Sequence, residues 1–264
     1  MDANPSGVSL FDGSESRTAE RPRVAPVGYL SAMSEVIVVE EAQTDIGRIQ
    51  IGRRQPVGSH EWIHEILIDG SLLMSSISPV SERRLSTGAL KLHGGESALR
   101  VLIGGLGLGY TAEAALEDSR VSQVQVVEKM DFIIDWMSRG LMPLSAQFGA
   151  ETRLEIVQGD VYADLLGPAN ETYDLILVDV DHSPEDLLSE ASTPFYTVEG
   201  QLLVAQHLRP GGILGVWSAF DNDDFSQVLE TVYTNGHREE LSWPDDEFPN
   251  SEYHNVLFFA RAPL

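Results

Sequence analysis

From Ser97 to Trp217 the chain alternates short apolar runs with longer stretches whose apolar residues recur at helical spacing. The runs Leu99–Ile103, Gln123–Glu128, Leu154–Val157, Leu175–Asp179 and Ile213–Trp217 predict strands. Helices are expected to start near Tyr110, Asp131, Glu199 and Asp224. Strands and helices in alternation predict a parallel α/β sheet, doubly wound and Rossmann-like. The C-terminal end breaks this rhythm. Glu239–Trp243 and Asn255–Ala260 flank an acidic, Pro-containing loop with no helix between them, which predicts a closing antiparallel pair and seven strands in all.

The pattern before Ser97 differs. Residues 1–34 are rich in Ser, Pro, Gly, Glu and Arg without sustained periodicity, and read as a flexible tail. Residues 35–80 predict a small antiparallel β domain. Its strands are expected around Glu35–Glu40 and Ile46–Ile51, and Ile66–Met74 fits a hairpin with Asp69-Gly70 at the turn. The larger domain takes residues 81–264. It opens with a connecting helix, Ser81–Leu92, for which Ser81 is the expected N-cap and His93-Gly94-Gly95 the stop.

Composition narrows the function. The chain has 264 residues and a formal net charge of −24, and Lys91 and Lys129 are its only lysines. Such a surface argues against nucleic acid and anionic membranes as partners, because phosphate binding needs a cationic patch. The acidity reads either as a solubility adaptation or as attraction of a cationic substrate. With no cysteine, disulfides, thiol nucleophiles and Cys-ligated metal sites drop out together. No apolar run is long enough to span a bilayer, and the N-terminus lacks the order of a signal peptide, so a cytoplasmic location is expected.

The chemistry gathers at the predicted strand ends, where α/β sheets bind ligands. After the first strand come Gly104, Gly105, Gly107 and Gly109, a turn that lets backbone N–H groups approach a polar ligand. No Gly-Lys-Ser/Thr follows, so this is not a P-loop. The second strand ends in Glu128, nineteen residues past Gly109, the distance at which an acid can accept both ribose hydroxyls. Gly159-Asp160-Val161 after the third strand offers a carboxylate to the exocyclic amine of an adenine. The fourth ends in Asp179-Val180-Asp181-His182. Singly, such acids often cap helices and such glycines serve packing. As a set they fit a nucleoside cofactor without a pyrophosphate.

The chain resembles the class I S-adenosylmethionine-dependent transferases, and more narrowly the spermidine synthase (polyamine aminopropyltransferase) family. The resemblance runs from about Glu35 to Ala260. It is strongest at Val101–Gly105, Val127-Glu128, Gly159-Asp160, Tyr173–Asp179, Phe195-Tyr196 and Leu208–Gly212. It implies the seven-stranded methyltransferase sheet behind a small β domain, with Glu128 on the ribose, Asp160 and Val161 on the adenine, and Asp179 in the place of the family's catalytic base. Three departures bear on the reaction. Gly107 stands where aminopropyltransferases usually carry the Asp that pairs with the donor's primary amine. The usual Asp-Ser-Ser-Asp-Pro becomes Asp179-Val180-Asp181-His182-Ser183-Pro184, and the polyamine-holding Tyr-Gln-Glu cluster has no counterpart in Arg83–Gly88.

These departures favour intact S-adenosylmethionine as donor, with Gly107 leaving room for its carboxylate and the Gly104–Gly109 amides holding it. Methyl transfer to a small-molecule acceptor is the leading expectation, with Asp179, Asp181 and His182 as the candidate catalytic group. The rivals are aminopropyl transfer from decarboxylated S-adenosylmethionine and a non-catalytic nucleoside-binding module. A homodimer is compatible with the sequence. No metal is expected, although His60, Glu61 and His64 lie close together. Trp217 reads as pocket wall or core closure, and Ile133, Trp136 and Met137 as packing.

Overall fold

A computed structural model describes residues 35–56, 60–95, 98–245 and 251–264. The expected tail, and the part of the acidic loop at Asp246-Glu247, lie outside the described residues. The first sheet has four antiparallel strands in sequential order: β1 (Ile37–Thr44), β2 (Gly47–Arg54), β3 (Ile63–Ile68) and β4 (Ser71–Ser75). Asp69 and Gly70 both take left-handed backbone at the last hairpin, with φ of 49° and 83°, as a two-residue turn of this twist requires. Alternation leaves Ile49, Ile51 and Ile66 on one buried face, and that face merges with the core of the larger sheet.

Helix α1 (Val80–His93) leads into the larger sheet. Here the expected cap is corrected. Pro79 holds the N-cap position, no side chain caps the helix, and Ser81 sits inside the first turn. Proline pre-sets the backbone for entry into a helix, and the helix starts two residues earlier than a serine cap would place it. The far end stops as expected, at Gly94 in left-handed conformation.

The following elements are β5 (Leu99–Gly104), α2 (Tyr110–Leu116), β6 (Val121–Glu128), α3 (Asp131–Ser138), α4 (Ser145–Ala150), β7 (Leu154–Gln158), α5 (Val161–Leu165) and β8 (Tyr173–Val178). After a 3-10 stretch at Glu190–Tyr196 come α6 (Val198–Val204), β9 (Leu208–Ser218), α7 (Asp223–Val232), β10 (Thr234–Pro244) and β11 (Glu252–Arg261). The seven strands lie in the order β10-β11-β9-β8-β5-β6-β7, with β5 to β9 parallel and β10 and β11 antiparallel. All five expected parallel strands and the closing pair are present. The short helices α4 and α5 and the 3-10 stretch were not signalled, being too brief to show a period.

All six residues of β8 are buried, the mark of a central parallel strand covered on both faces. Leu175 and Leu177 face the core shared with α1, α2, α3 and the small sheet, while Ile176 and Val178 face α5 and α7. The order in which strands are added reverses between β5 and β8, which lie side by side and parallel. Ligands bind at such a switch point, beyond the carboxyl ends of the strands.

Candidate active site

The glycine loop is shaped by what surrounds it. Gly105 has φ of +91°, and a Cβ there would lie 2.2 Å from the carbonyl oxygen of Asp179. Only glycine lets the β5 and β8 ends approach this closely. Gly107 (φ +50°) is different, since a Cβ there would meet the Met74 Sδ at 3.0 Å and Cε at 3.1 Å. Met74, on β4 of the small sheet, therefore covers the spot where an acid would project. The room expected above Gly107 is filled by a thioether.

Glu128 is buried at the end of β6. Its Oε2 accepts from the Leu106 N–H and its Oε1 from the Met130 N–H, both at 2.8 Å. Burial raises its pKa, and the surrounding backbone amides oppose that rise. The carboxylate thus pins the glycine loop at Leu106.

Asp160 caps α5, with Oδ1 accepting from the Tyr162 N–H at 3.1 Å and the Ala163 N–H at 3.3 Å. Its Oδ2 pairs with Lys129 Nζ at 2.9 Å. Burial pushes the Asp160 pKa up, but the Lys129 ammonium and the two amides outweigh it and hold the carboxyl below its usual range. Val161 is buried in the first turn of α5. These groups line a crevice of about 360 Å³ whose other wall is the β1–β2 turn, Thr44-Asp45-Ile46. A separate groove of about 400 Å³ between α7 and β10 shares none of the predicted site residues.

The β8 end divides its acids. Asp179 Oδ2 accepts from the Thr111 hydroxyl at 2.7 Å, and burial raises its pKa against that bond. Asp181 is only 3% exposed and already holds three donors. Its Oδ2 accepts from the Tyr162 hydroxyl at 2.6 Å and the Tyr196 hydroxyl at 3.1 Å, and its Oδ1 from the Leu188 N–H at 2.8 Å. That carboxylate braces the loop after β8. The His182 carbonyl accepts from the Ala219 N–H at 2.7 Å, which ties the same loop to the end of β9.

Other expectations sort by contact. Arg83 pairs with Glu113 on α2 and with Glu117 just after it, and Arg84 grips Glu239 on β10 at 2.7 and 2.8 Å, so both guanidiniums are engaged between elements. Trp217 packs against the core, with its indole N–H buried and without a partner. Trp136 is core, and its Nε1 donates to Glu40 at 3.0 Å. His64 lies on β3 with a buried Nδ1 that has no partner, and burial lowers its pKa. Among the described residues no group of three or more His, Cys, Asp or Glu could hold a metal ion. Met74, Thr111 and Lys129 were missed as site residues because each reads alone as an ordinary core or surface residue.

Comparison with known proteins places the fold. The chain is 30% identical over 193 residues, 70% of its length, to a polyamine aminopropyltransferase of Oceanobacillus iheyensis, covering 36% of that protein. It is 31% identical over 115 residues, 44% of its length, to putrescine N-methyltransferase 2 of Nicotiana tabacum, covering 31% of that protein. The chain is homologous to the spermidine synthase-like proteins. No family model matches it. It spans about a third of the length of these curated relatives. Among solved structures, spermidine synthase from Thermotoga maritima superposes with a TM-score of 0.66 at 18% identity, over 87% of this chain and 74% of that one. A spermidine synthase in complex with the transition state analogue AdoDATO gives 0.64 at 18% identity, with the same coverage. The spermidine synthase-like fold, small sheet included, is thus the fold of this chain. Among the described residues no helix is long and apolar enough to cross a membrane.

Proposed function

We propose that the protein is a transferase that moves an alkyl group, most simply methyl, from S-adenosylmethionine to a small amine. One observation carries the reading: the glycine loop, Glu128, Asp160 and Asp179 stand at the carboxyl ends of β5, β6, β7 and β8, beside the switch point between β5 and β8. Glu128 would take the ribose hydroxyls and Asp160 the adenine amine. Asp179 would accept the proton of the attacking nitrogen. The sulfonium supplies the leaving group when it is bound, so the protein's task is alignment and proton removal.

Methyl transfer is preferred because the place of the donor-pairing acid is taken by Gly107 under the Met74 thioether. The lone ammonium of a decarboxylated donor would be unpaired there, and a desolvated, unpaired charge is costly. Aminopropyl transfer is the second reading, supported by the long match to the aminopropyltransferase.

Calorimetry with both donors tests the choice. Intact S-adenosylmethionine is expected to bind about tenfold or more tightly than the decarboxylated form, equivalent to at least about 1.4 kcal/mol. Tighter binding of the decarboxylated donor would reverse the assignment. Asp179→Asn should keep donor affinity within a few-fold while abolishing release of the product nucleoside.

A further inference from the structure

Glu82 lies outside the residues that the sequence pattern singles out, because an acid in the first turn of a helix reads as a partner of the helix dipole. Its surroundings say more. The Ser81 hydroxyl donates to Glu82 Oε2 at 2.8 Å. One helical turn further, the Ser86 hydroxyl donates to the Thr111 carbonyl at 2.6 Å, and the Thr111 hydroxyl donates to Asp179 Oδ2 at 2.7 Å. Residues four apart share a helix face, so Glu82 and Ser86 both look toward the start of α2 and the β8 end. The packing of α1 fixes the height, with Leu85 Cδ1 3.1 Å from where a Cβ of Gly215 would be, two residues before Trp217 on β9.

We infer that Glu82 and Asp179 form a carboxylate pair that seats the ammonium nitrogen of the acceptor and takes its proton before attack. This rests on the transfer reaction proposed above. With the pair ionised, its oxygens accept hydrogen bonds from R–NH₃⁺. One N–H proton passes to a carboxylate oxygen of the pair, leaving a lone pair on nitrogen. That lone pair attacks the sulfonium-bound carbon, the carbon–sulfur bond breaks with its electrons on sulfur, and a neutral thioether leaves.

Electrostatics agrees with the placement. Burial, reinforced by the negative charge of Asp179, raises the Glu82 pKa to about 7. Burial raises Asp179 as well, so both carboxyl groups hold a proton more tightly than exposed acids do. The other groups around α1 here are Tyr110 and Glu113 from α2, Arg83 and Arg84 on α1 itself, and Glu239 from β10. Both arginines are bound to carboxylates of other elements, Arg83 to Glu113 and Arg84 to Glu239. The ionised form of Glu82 grows as pH rises through about 7, so amine affinity should climb about tenfold between pH 6 and pH 8.

Infrared difference spectroscopy of the full chain tests the pair, because protonated carboxyl groups have their own C=O band. The expected result is a carboxyl that titrates near neutrality, is absent in Glu82→Gln, and titrates at lower pH in Asp179→Asn. Saturating alkylamines, from methylammonium to putrescine, should drive the proton off and shift that titration below pH 6. If no carboxyl titrates between pH 6 and 8, if Glu82→Gln leaves the band in place, or if no amine moves it, the inference is overturned. Donor calorimetry on the same samples separates the two levels. Failure of wild type to bind either donor sinks the transferase reading, whereas normal donor binding with an unmoved band sinks only the pair.

Discussion

At the scale of single residues, the site is built from acids that do two things each. Glu128 ties the glycine loop, through the Leu106 amide, to the start of α3, through the Met130 amide. Asp160 caps α5 and is held by Lys129 while lining the crevice beside the β1–β2 turn. Replacing it should therefore register twice. Asp160→Ala is expected to cost about 1 kcal/mol of stability through the lost cap and to weaken nucleoside binding about tenfold. Thermal melts and calorimetry with S-adenosylhomocysteine check the two arms, and unchanged affinity would remove Asp160 from the site. Lys129→Met serves as a control. Its pair with Asp160 is largely solvent-facing, so stability should move by less than about 0.5 kcal/mol.

Elements bring these residues together, and their fit tolerates little change. The ends of β5 and β8 touch through Gly105 and the Asp179 carbonyl, with the Asp179 N–H donating to the Gly104 carbonyl at 3.0 Å. Gly105→Ala would put a methyl into that contact on a left-handed backbone, a change expected to cost about 2–4 kcal/mol. Because it forces Asp179 away from the loop, donor binding should be lost with the stability. A melting temperature within a degree of wild type would mean that the two strand ends can part freely. The same reasoning applies to α1, which is tied to β10 by Arg84–Glu239 and by the Trp243 Nε1 bond to Ser78 at 2.6 Å. Those ties hold α1, and Glu82 with it, against the larger sheet.

For the whole molecule, charge is the dominant long-range term. With 41 acidic against 17 basic residues, self-repulsion of the folded chain should outweigh its exposed ion pairs, each worth about 0–1 kcal/mol. Raising sodium chloride from about 20 mM to 0.5 M should therefore raise the melting temperature by several degrees, because added salt screens repulsion beyond about a nanometre. A fall would show that the ion pairs dominate. Local pattern alone determined the order of the strands and of the helices other than α4 and α5, the β hairpin at Asp69-Gly70 and the gathering of glycines and acids at strand ends. These depend on side-chain period and turn chemistry, which act over a few residues. Only the tertiary structure decided which acids stay open. It filled the space over Gly107 with Met74 from another sheet, engaged Asp181 with two tyrosine hydroxyls, and placed Glu82 on the α1 face that looks toward Asp179. In each case the partner lies far along the chain. Its effect comes through contact, burial and charge, and none of these is written in the local order of residues.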